Sequence, residues 1–474
     1  MLNKISSWML PAAPIIALVV ALIAHRCGLT SPASACAWVA ITCALWWIFE
    51  CTHIAIAGLL PFVAFPVLGV LDHGRVAQSY GHTIILLLMG GFFLSASMEK
   101  SGAHRRIALS MVKAVGGQGG RRLVLGFMLA TSLLSMWISN SATTLMILPI
   151  ALAVLSDAND PKLRTPLLLG IAYAASIGGM ATPIGTPPNV YFMSFMQTEY
   201  DIELTFGQWM SIGLPITCIL FPAIWLWVTR SLKDAMPLVM PEVGDWRPSE
   251  RRVLWVFAFT AAAWIFRLAP FGGWSQFLPD GGSAVGDTTV ALAASLFLFL
   301  CPSGEPAPKP DKLTSGVLPT STLLDWQTAK GIPWGILIMF GGGIALADGF
   351  KSTGLSESIG NQLTIFNTAP SWVVVLSVCL LVTFLTEMTS STATAMLMMP
   401  ILAGLADATN MSPQSVLIPG TISASCAFML PVATAPNVII FGAGGIRTAD
   451  MARNGFALNI YASIVITTVA LLLG

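Results

Sequence analysis

Two short polar clusters interrupt otherwise apolar sequence: Ser139-Asn140-Ser141 and Ser390-Ser391-Thr392. The stretches around them, roughly 123–155 and 371–406, are each long enough to enter a bilayer and return as a helical hairpin. A second pair of interruptions follows, Gly185-Thr186-Pro187-Pro188-Asn189 and Ala433-Thr434-Ala435-Pro436-Asn437. Proline lacks an amide donor and clashes with the preceding turn, and Gly185 permits unusual dihedrals, so a helix must break there. A break frees carbonyls on one side and presents fresh N-terminal amides on the other. Carbonyls and hydroxyls suit a hard cation such as sodium, and helix N-termini suit an anion. Non-helical backbone at membrane depth survives only where it is buried in protein or lines a cavity. One such motif alone is a kink; four in symmetric pairs outline a binding site.

The elements that carry these clusters are membrane spans. Of 474 residues, 55% are hydrophobic and 9% charged, against about 25% charged in ordinary globular chains. With a mean hydropathy of +0.79, this excludes a soluble enzyme, and HExxH and GxSxG motifs are missing as well. A net charge of +1 without long single-sign blocks leaves no role for nucleic acid. Apolar runs bounded by charge, Gly or Pro predict spans near 9–25, 33–51, 54–71, 82–99, 166–197, 209–229, 252–269, 286–302, 333–350, 416–442 and 454–473. The expected fold is therefore an all-α polytopic membrane protein with eleven transmembrane helices and two re-entrant hairpins.

Basic residues orient it. A cytoplasmic N-terminus puts all but Arg26, Arg75, Arg267 and Lys351 of the 23 Lys and Arg residues inside, Lys233, Lys309 and Lys312 among them. This start keeps the first span as a helix, although Lys4 and the Ala33-Ser34-Ala35 pattern also fit a cleaved signal. The C-terminus then lies outside, and the inner (plasma) membrane is the expected location.

The motifs repeat in order. Met89-Gly90-Gly91 with Ser101-Gly102 matches Gly341-Gly342-Gly343 with Thr353-Gly354 at an offset of 252; the tips, with Pro149 and Pro400, match at 251; the breaks match at 248. The first hairpin follows a basic cytoplasmic loop and the second an outer segment holding only Lys351, so the halves form an inverted repeat, an architecture that places a site near the midplane. The expected organisation is N-terminal scaffold helices (1–80), a first transport unit with the inner hairpin (81–208), scaffold helices with a cytoplasmic loop (209–332), a second transport unit with the outer hairpin (333–442) and a C-terminal span (443–474).

No Lys or Arg lies near the middle of a span, so a dianion bound there has no basic side chain to neutralise it. Helix termini supply about half a charge each, and co-bound cations are the natural complement. Glu387 and Glu50 are candidate intramembrane carboxylates; Glu387, three residues before Ser390, either braces the hairpin or couples protons. His53 and His82 fit interfacial positions, and Trp46, Trp47, Trp209, Trp225 and Trp334 fit interface anchors. The 341–343 glycines fit close helix packing, and the eight cysteines fit packing residues.

On these tips and breaks the chain resembles, over essentially its whole length, the divalent anion/sodium symporters, which carry dicarboxylates, citrate or sulfate. Their mark is a pair of Ser-Asn-Thr tips, each followed by a Thr-Pro-type break. The resemblance implies a first sodium site from Ser135, Ser139, Asn140 and backbone near Gly185. It implies a second from Thr386, Ser391 and the carbonyls of Thr389 and Ala433. The substrate carboxylates then lie between Ser139, Asn140 and Ser141 with Thr186 and Pro187, and Ser390, Ser391 and Thr392 with Thr434. The first tip departs by ending in Ser141, the second by placing Ser391 where the family has Asn, and Thr434-Ala435-Pro436 has one proline fewer than its partner. The resemblance further implies a homodimer whose scaffold, near spans 1–3 and 6–8, stays fixed while hairpins and broken helices move. The expected activity is sodium-coupled import of a C4-dicarboxylate such as succinate, malate or fumarate. A sodium-independent dicarboxylate exchanger and a sodium/sulfate symporter remain the alternatives.

Overall fold

A computed structural model describes residues 2–116, 120–158, 161–232, 244–268, 272–305, 321–363 and 366–473; Lys233, Lys309 and Lys312 lie outside them. Among the described residues there is helix and connector but no named strand. After α1 (Leu2–Arg26) come α2 (Ser31–Ile48), α3 (Ile54–Val67), α4 (His73–Tyr80), α5 (Thr83–Ser101), α6 (Ala103–Gly116), α7 (Gly120–Ser135), α8 (Asn140–Ala158), α9 (Pro161–Gly179), α10 (Pro187–Tyr200) and α11 (Phe206–Thr229). A second run parallels the first: α12 (Pro248–Ile265), α13 (Asp287–Leu300), α14 (Trp326–Ala329), α15 (Trp334–Thr353), α16 (Leu355–Gln362), α17 (Ser371–Thr386), α18 (Ser391–Ala408), α19 (Pro413–Ala424), α20 (Ala435–Gly442) and α21 (Thr448–Leu473). Seven helical stretches among the described residues have the length and apolar composition to cross a membrane.

The polar tips fall between α7 and α8 and between α17 and α18. The stretch 166–197 is two helices, α9 and α10, parted by a 3-10 turn at Pro183–Gly185; 416–442 is likewise α19 and α20, parted over 425–434. Glycine ends the helix before each hairpin unit. Gly102 (φ +77°) caps α5 and Gly354 (φ +69°) caps α15, both left-handed, which a glycine adopts without strain. The basic loop after Gly102 is in fact the amphipathic helix α6, and the segment after Gly354 is α16; their short apolar stripes fall below the length of a span.

Packing is reciprocal between the halves. α5 lies on α13 and α12, and α15 lies on α3 and α2. α10 crosses onto α18 and α19 of the second half, and α20 crosses onto α8 and α9 of the first. The glycines permit this approach: a Cβ at Gly342 would overlap the Gly58 backbone in α3, and one at Gly90 would reach 2.6 Å from the Ala291 Cβ in α13.

The expectations for two tryptophans and Glu50 change here, and two histidines gain a capping role. Trp209 and Trp47 are buried, and the Trp209 indole donates to the Met180 carbonyl at the first break instead of anchoring an interface. His53 and His82 serve as N-caps, their rings accepting from the amides of Ala55 and Ile84. Glu50 is not within a helix; it follows α2, exposed, at φ +46°.

Candidate functional site

Both tips and both breaks border one cavity of about 790 Å³. Ser139, Asn140, Ser141, Thr186, Pro187, Ser390, Ser391, Thr392 and Thr434 all line it, as do Gly185 and Ala433. Ser135, Thr386 and Thr389 lie buried behind the tips. Glu50, Glu99 and Lys100 border the same cavity, with Thr328, Gly331, Ile332 and Pro333.

The hairpin tips are shaped by capping. The Ser139 hydroxyl accepts from the Ala142 amide, and the Ser390 hydroxyl accepts from the Ala393 amide. Each satisfies one of the orphan donors at a helix start and leaves the neighbouring N-terminal dipole directed at the cavity side.

Behind the first tip, the Ser135 hydroxyl donates to the Ala175 carbonyl at 2.8 Å. The inner atom of the Asn140 amide lies 2.5 Å from Ser135 Oγ, 3.1 Å from the Ala175 oxygen and 3.3 Å from the Gly185 oxygen. With nitrogen inward, the amide donates to these oxygens. With oxygen inward, four oxygens converge, and a cation is the partner that satisfies them. The donor set thus fits sodium. Gly179 makes room for it, since a Cβ there would reach 2.5 Å from Asn140 Oδ1.

Behind the second tip the pattern is repeated in part. The Thr386 hydroxyl donates to the Ala424 carbonyl at 2.8 Å, matching Ser135 and Ala175. Ser391 stands where Asn140 stands in the first half and is too short to carry an amide to this point. The Thr389 hydroxyl pairs with Thr394 Oγ1 at 2.5 Å instead.

The breaks are held open by side chains that satisfy their freed backbone groups. Asn189 Nδ2 donates to the carbonyls of Gly179 and Thr182 at 3.0 and 2.8 Å, and Asn437 Nδ2 donates to those of Ala427 and Leu430 at 3.0 Å each. Thr182 bonds the Met136 carbonyl through its hydroxyl. In the second break, the Glu387 carboxylate accepts from the amides of Phe428, Met429 and Leu430 at 2.7, 2.8 and 2.8 Å, and from Asn459 Nδ2 at 2.7 Å. Tyr173 of α9 donates to the Phe428 carbonyl at 2.7 Å. Four donors facing one carboxylate leave no acceptor for an acidic proton, so the geometry favours the brace over the proton carrier. Asn189, Asn437 and Tyr173 were not among the expected site residues; the two asparagines stood inside the repeated motifs, and that position was their available signal.

A family model described as citrate transporter matches residues 44–416. A sodium-dependent dicarboxylate transporter, SdcS, of Staphylococcus saprophyticus is 38% identical over 448 residues, covering 90% of this chain and 83% of that one. SdcS of Staphylococcus aureus is 35% identical over the same shares. Among solved structures, the Alcanivorax borkumensis YdaH transporter superposes with a TM-score of 0.56 at 13% identity, covering 89% of this chain and 97% of that one, a likeness of fold. The protein is a multi-pass membrane transporter, not an enzyme; the chain carries the citrate transporter family domain and belongs with the divalent anion/sodium symporters.

Proposed function

We propose that this chain is a secondary active transporter importing a small divalent anion, a C4-dicarboxylate such as succinate, malate or fumarate, together with sodium. The observation that carries this reading is the convergence of two capped tips and two broken helices on one cavity, with the Ser135, Ala175 and Gly185 oxygens gathered around the Asn140 amide behind the first tip. Helix N-termini and hydroxyls face where the dianion binds, and the only basic side chain bordering the cavity, among the described residues, is Lys100, which pairs with Asp325 at 2.7 Å. Sodium therefore neutralises the cargo and travels with it as co-substrate. The names of the SdcS relatives support the same coupling.

The reading includes eleven crossings with two re-entrant hairpins, an inverted repeat, a cytoplasmic N-terminus and an outer C-terminus in the plasma membrane, and a homodimer. The cavity borders Lys100 and Glu99, the end that the basic-residue rule assigns to the cytoplasm, so the conformation is inward-open. Alternating access then proceeds as an elevator, with hairpins and broken helices moving against the scaffold. α11 packs on α7, α9 and α21, so the moving body includes it, although the sequence boundary at 209 leaves it with the scaffold.

A second reading, dicarboxylate exchange without net sodium use, is favoured by the incomplete cluster behind Ser391. Proteoliposomes loaded with and without internal succinate separate the two. Sodium-driven accumulation of labelled succinate into empty vesicles supports symport; uptake that needs internal succinate and persists when choline replaces sodium supports exchange. Sulfate uptake that excludes succinate would displace both.

A further inference from the structure

Ser176, in the last full turn of α9, is 2% exposed, and Ser425, which ends α19, is 3% exposed. Both residues border the central cavity. Neither hydroxyl has a hydrogen-bond partner within the protein, and among the described cavity-lining residues only these two side chains are orphaned in this way. They are also equivalents across the repeat. Ser176 follows Ala175, whose carbonyl accepts from Ser135, and Ser425 follows Ala424, whose carbonyl accepts from Thr386. A buried hydroxyl without a partner carries a desolvation penalty of about 1–3 kcal/mol, and two occurrences at matching positions are not a local accident of packing.

We propose that the Ser176 and Ser425 hydroxyls are substrate ligands, one from each half, each donating a hydrogen bond to one carboxylate of a bound dicarboxylate. The inference rests on the transport reading above and adds to it two residues and a length criterion. Three other hydroxyls at the site have structural duties, Ser139, Ser390 and Thr434 accepting from the amides of Ala142, Ala393 and Asn437, while Ser141, Thr186, Ser391 and Thr392 line the cavity beside them. A serine hydroxyl has a single χ1 torsion with three staggered positions, so reaching into the cavity that the residue borders needs no backbone movement. The neighbouring cation cluster reaches further back, to Ser135 and, in the second half, Thr386, which do not border the cavity as Ser176 and Ser425 do. Two donors from opposite halves match a ligand with a carboxylate at each end. A single-centre dianion such as sulfate has no second carboxylate for the other half to hold.

The test uses the full-length protein in proteoliposomes and detergent, with Ser176→Ala, Ser425→Ala and the double variant. Each single variant is expected to raise the succinate KM about tenfold and the double variant about a hundredfold, one charge-assisted hydrogen bond at a time. The sodium concentration for half-maximal uptake stays within about twofold of wild type. Melting temperature without substrate stays equal or rises, because alanine removes an orphaned hydroxyl, whereas a purely structural serine would lower it. Unchanged succinate KM in both single variants overturns the proposal, as does a shift confined to sodium dependence. Wild-type protein that neither transports nor is thermally stabilised by succinate, citrate or sulfate overturns the transport reading itself, which the variants' behaviour alone cannot do.

Discussion

Replacing Glu387 by Gln removes a charge while keeping the shape of the side chain. In the native site, Oε1 accepts from Phe428 and Met429 amides and Asn459 Nδ2, and Oε2 accepts from the Leu430 amide. Glutamine keeps one acceptor oxygen and turns an NH2 toward a donor. One amide is orphaned at about 1–3 kcal/mol, and three charge-assisted bonds weaken by about 1 kcal/mol each, so the loss is about 4–6 kcal/mol. Set against a typical stability of about 5–15 kcal/mol, that threatens the fold of the second break. Thermal unfolding of purified protein should move down by about 5 °C or more, and uptake should fall with raised KM for succinate, because the break carries Thr434 and Ala433. Glu387→Asp, which keeps the charge on a shorter stem, should lie between. A Glu387→Gln protein that melts like wild type and transports like wild type refutes the brace. One that melts like wild type but loses only proton-dependent uptake would transfer the residue to proton coupling.

Other expectations follow from single contacts. Asn140→Ala removes the amide that reaches Ser135, Ala175 and Gly185, and should raise both the sodium requirement and the succinate KM about tenfold or more in uptake assays. Gly342→Ala forces a methyl group into the Gly58 backbone and should lower stability by about 3 kcal/mol, read as a lower melting temperature and reduced yield of folded protein. At the C-terminal end of α10, beyond the expected span, burial raises the Glu199 carboxyl to about 7, opposed by Lys351 and reinforced by Asp407, Asp348 and Glu357. A raised acid pKa means that the folded state holds the proton longer, so stability falls as pH rises from the ordinary carboxylate range through 7. The melting temperature should therefore decline between about pH 5 and 7 and level off above that, and Glu199→Gln should flatten the decline.

What one sequence made visible was what repeats or interrupts. Tips, breaks and the paired glycines differ from their surroundings in composition, and their recurrence at nearly one offset located both halves of the site. The partners that stabilise them were hidden, because they come from far away in the chain. Nothing local to Trp209 marks its bond to Met180, nothing local to Tyr173 marks Phe428, and nothing near Ser176 marks the cavity it borders. α6 was legible in principle, since Ile107, Ala108, Met111 and Val112 fall at helical spacing among basic residues, but its stripe is too short to register as a span. Glu387 was the intermediate case. Its spacing from Ser390 suggested a brace, and the structure supplies the three amides that it braces.

The crossing of α20 onto α8 and α9 also bears on how the protein is made. Tyr173 meets Phe428 across 255 residues, so the first hairpin leaves the ribosome long before its cover exists. Until the last fifth of the chain arrives, the first tip has only its own half around it and lacks the cover of α20, so the insertion machinery has to shelter that side or leave it at the bilayer surface. Assembly of so remote a pairing is slow by its topology, and the nascent half-protein is the stage most exposed to degradation.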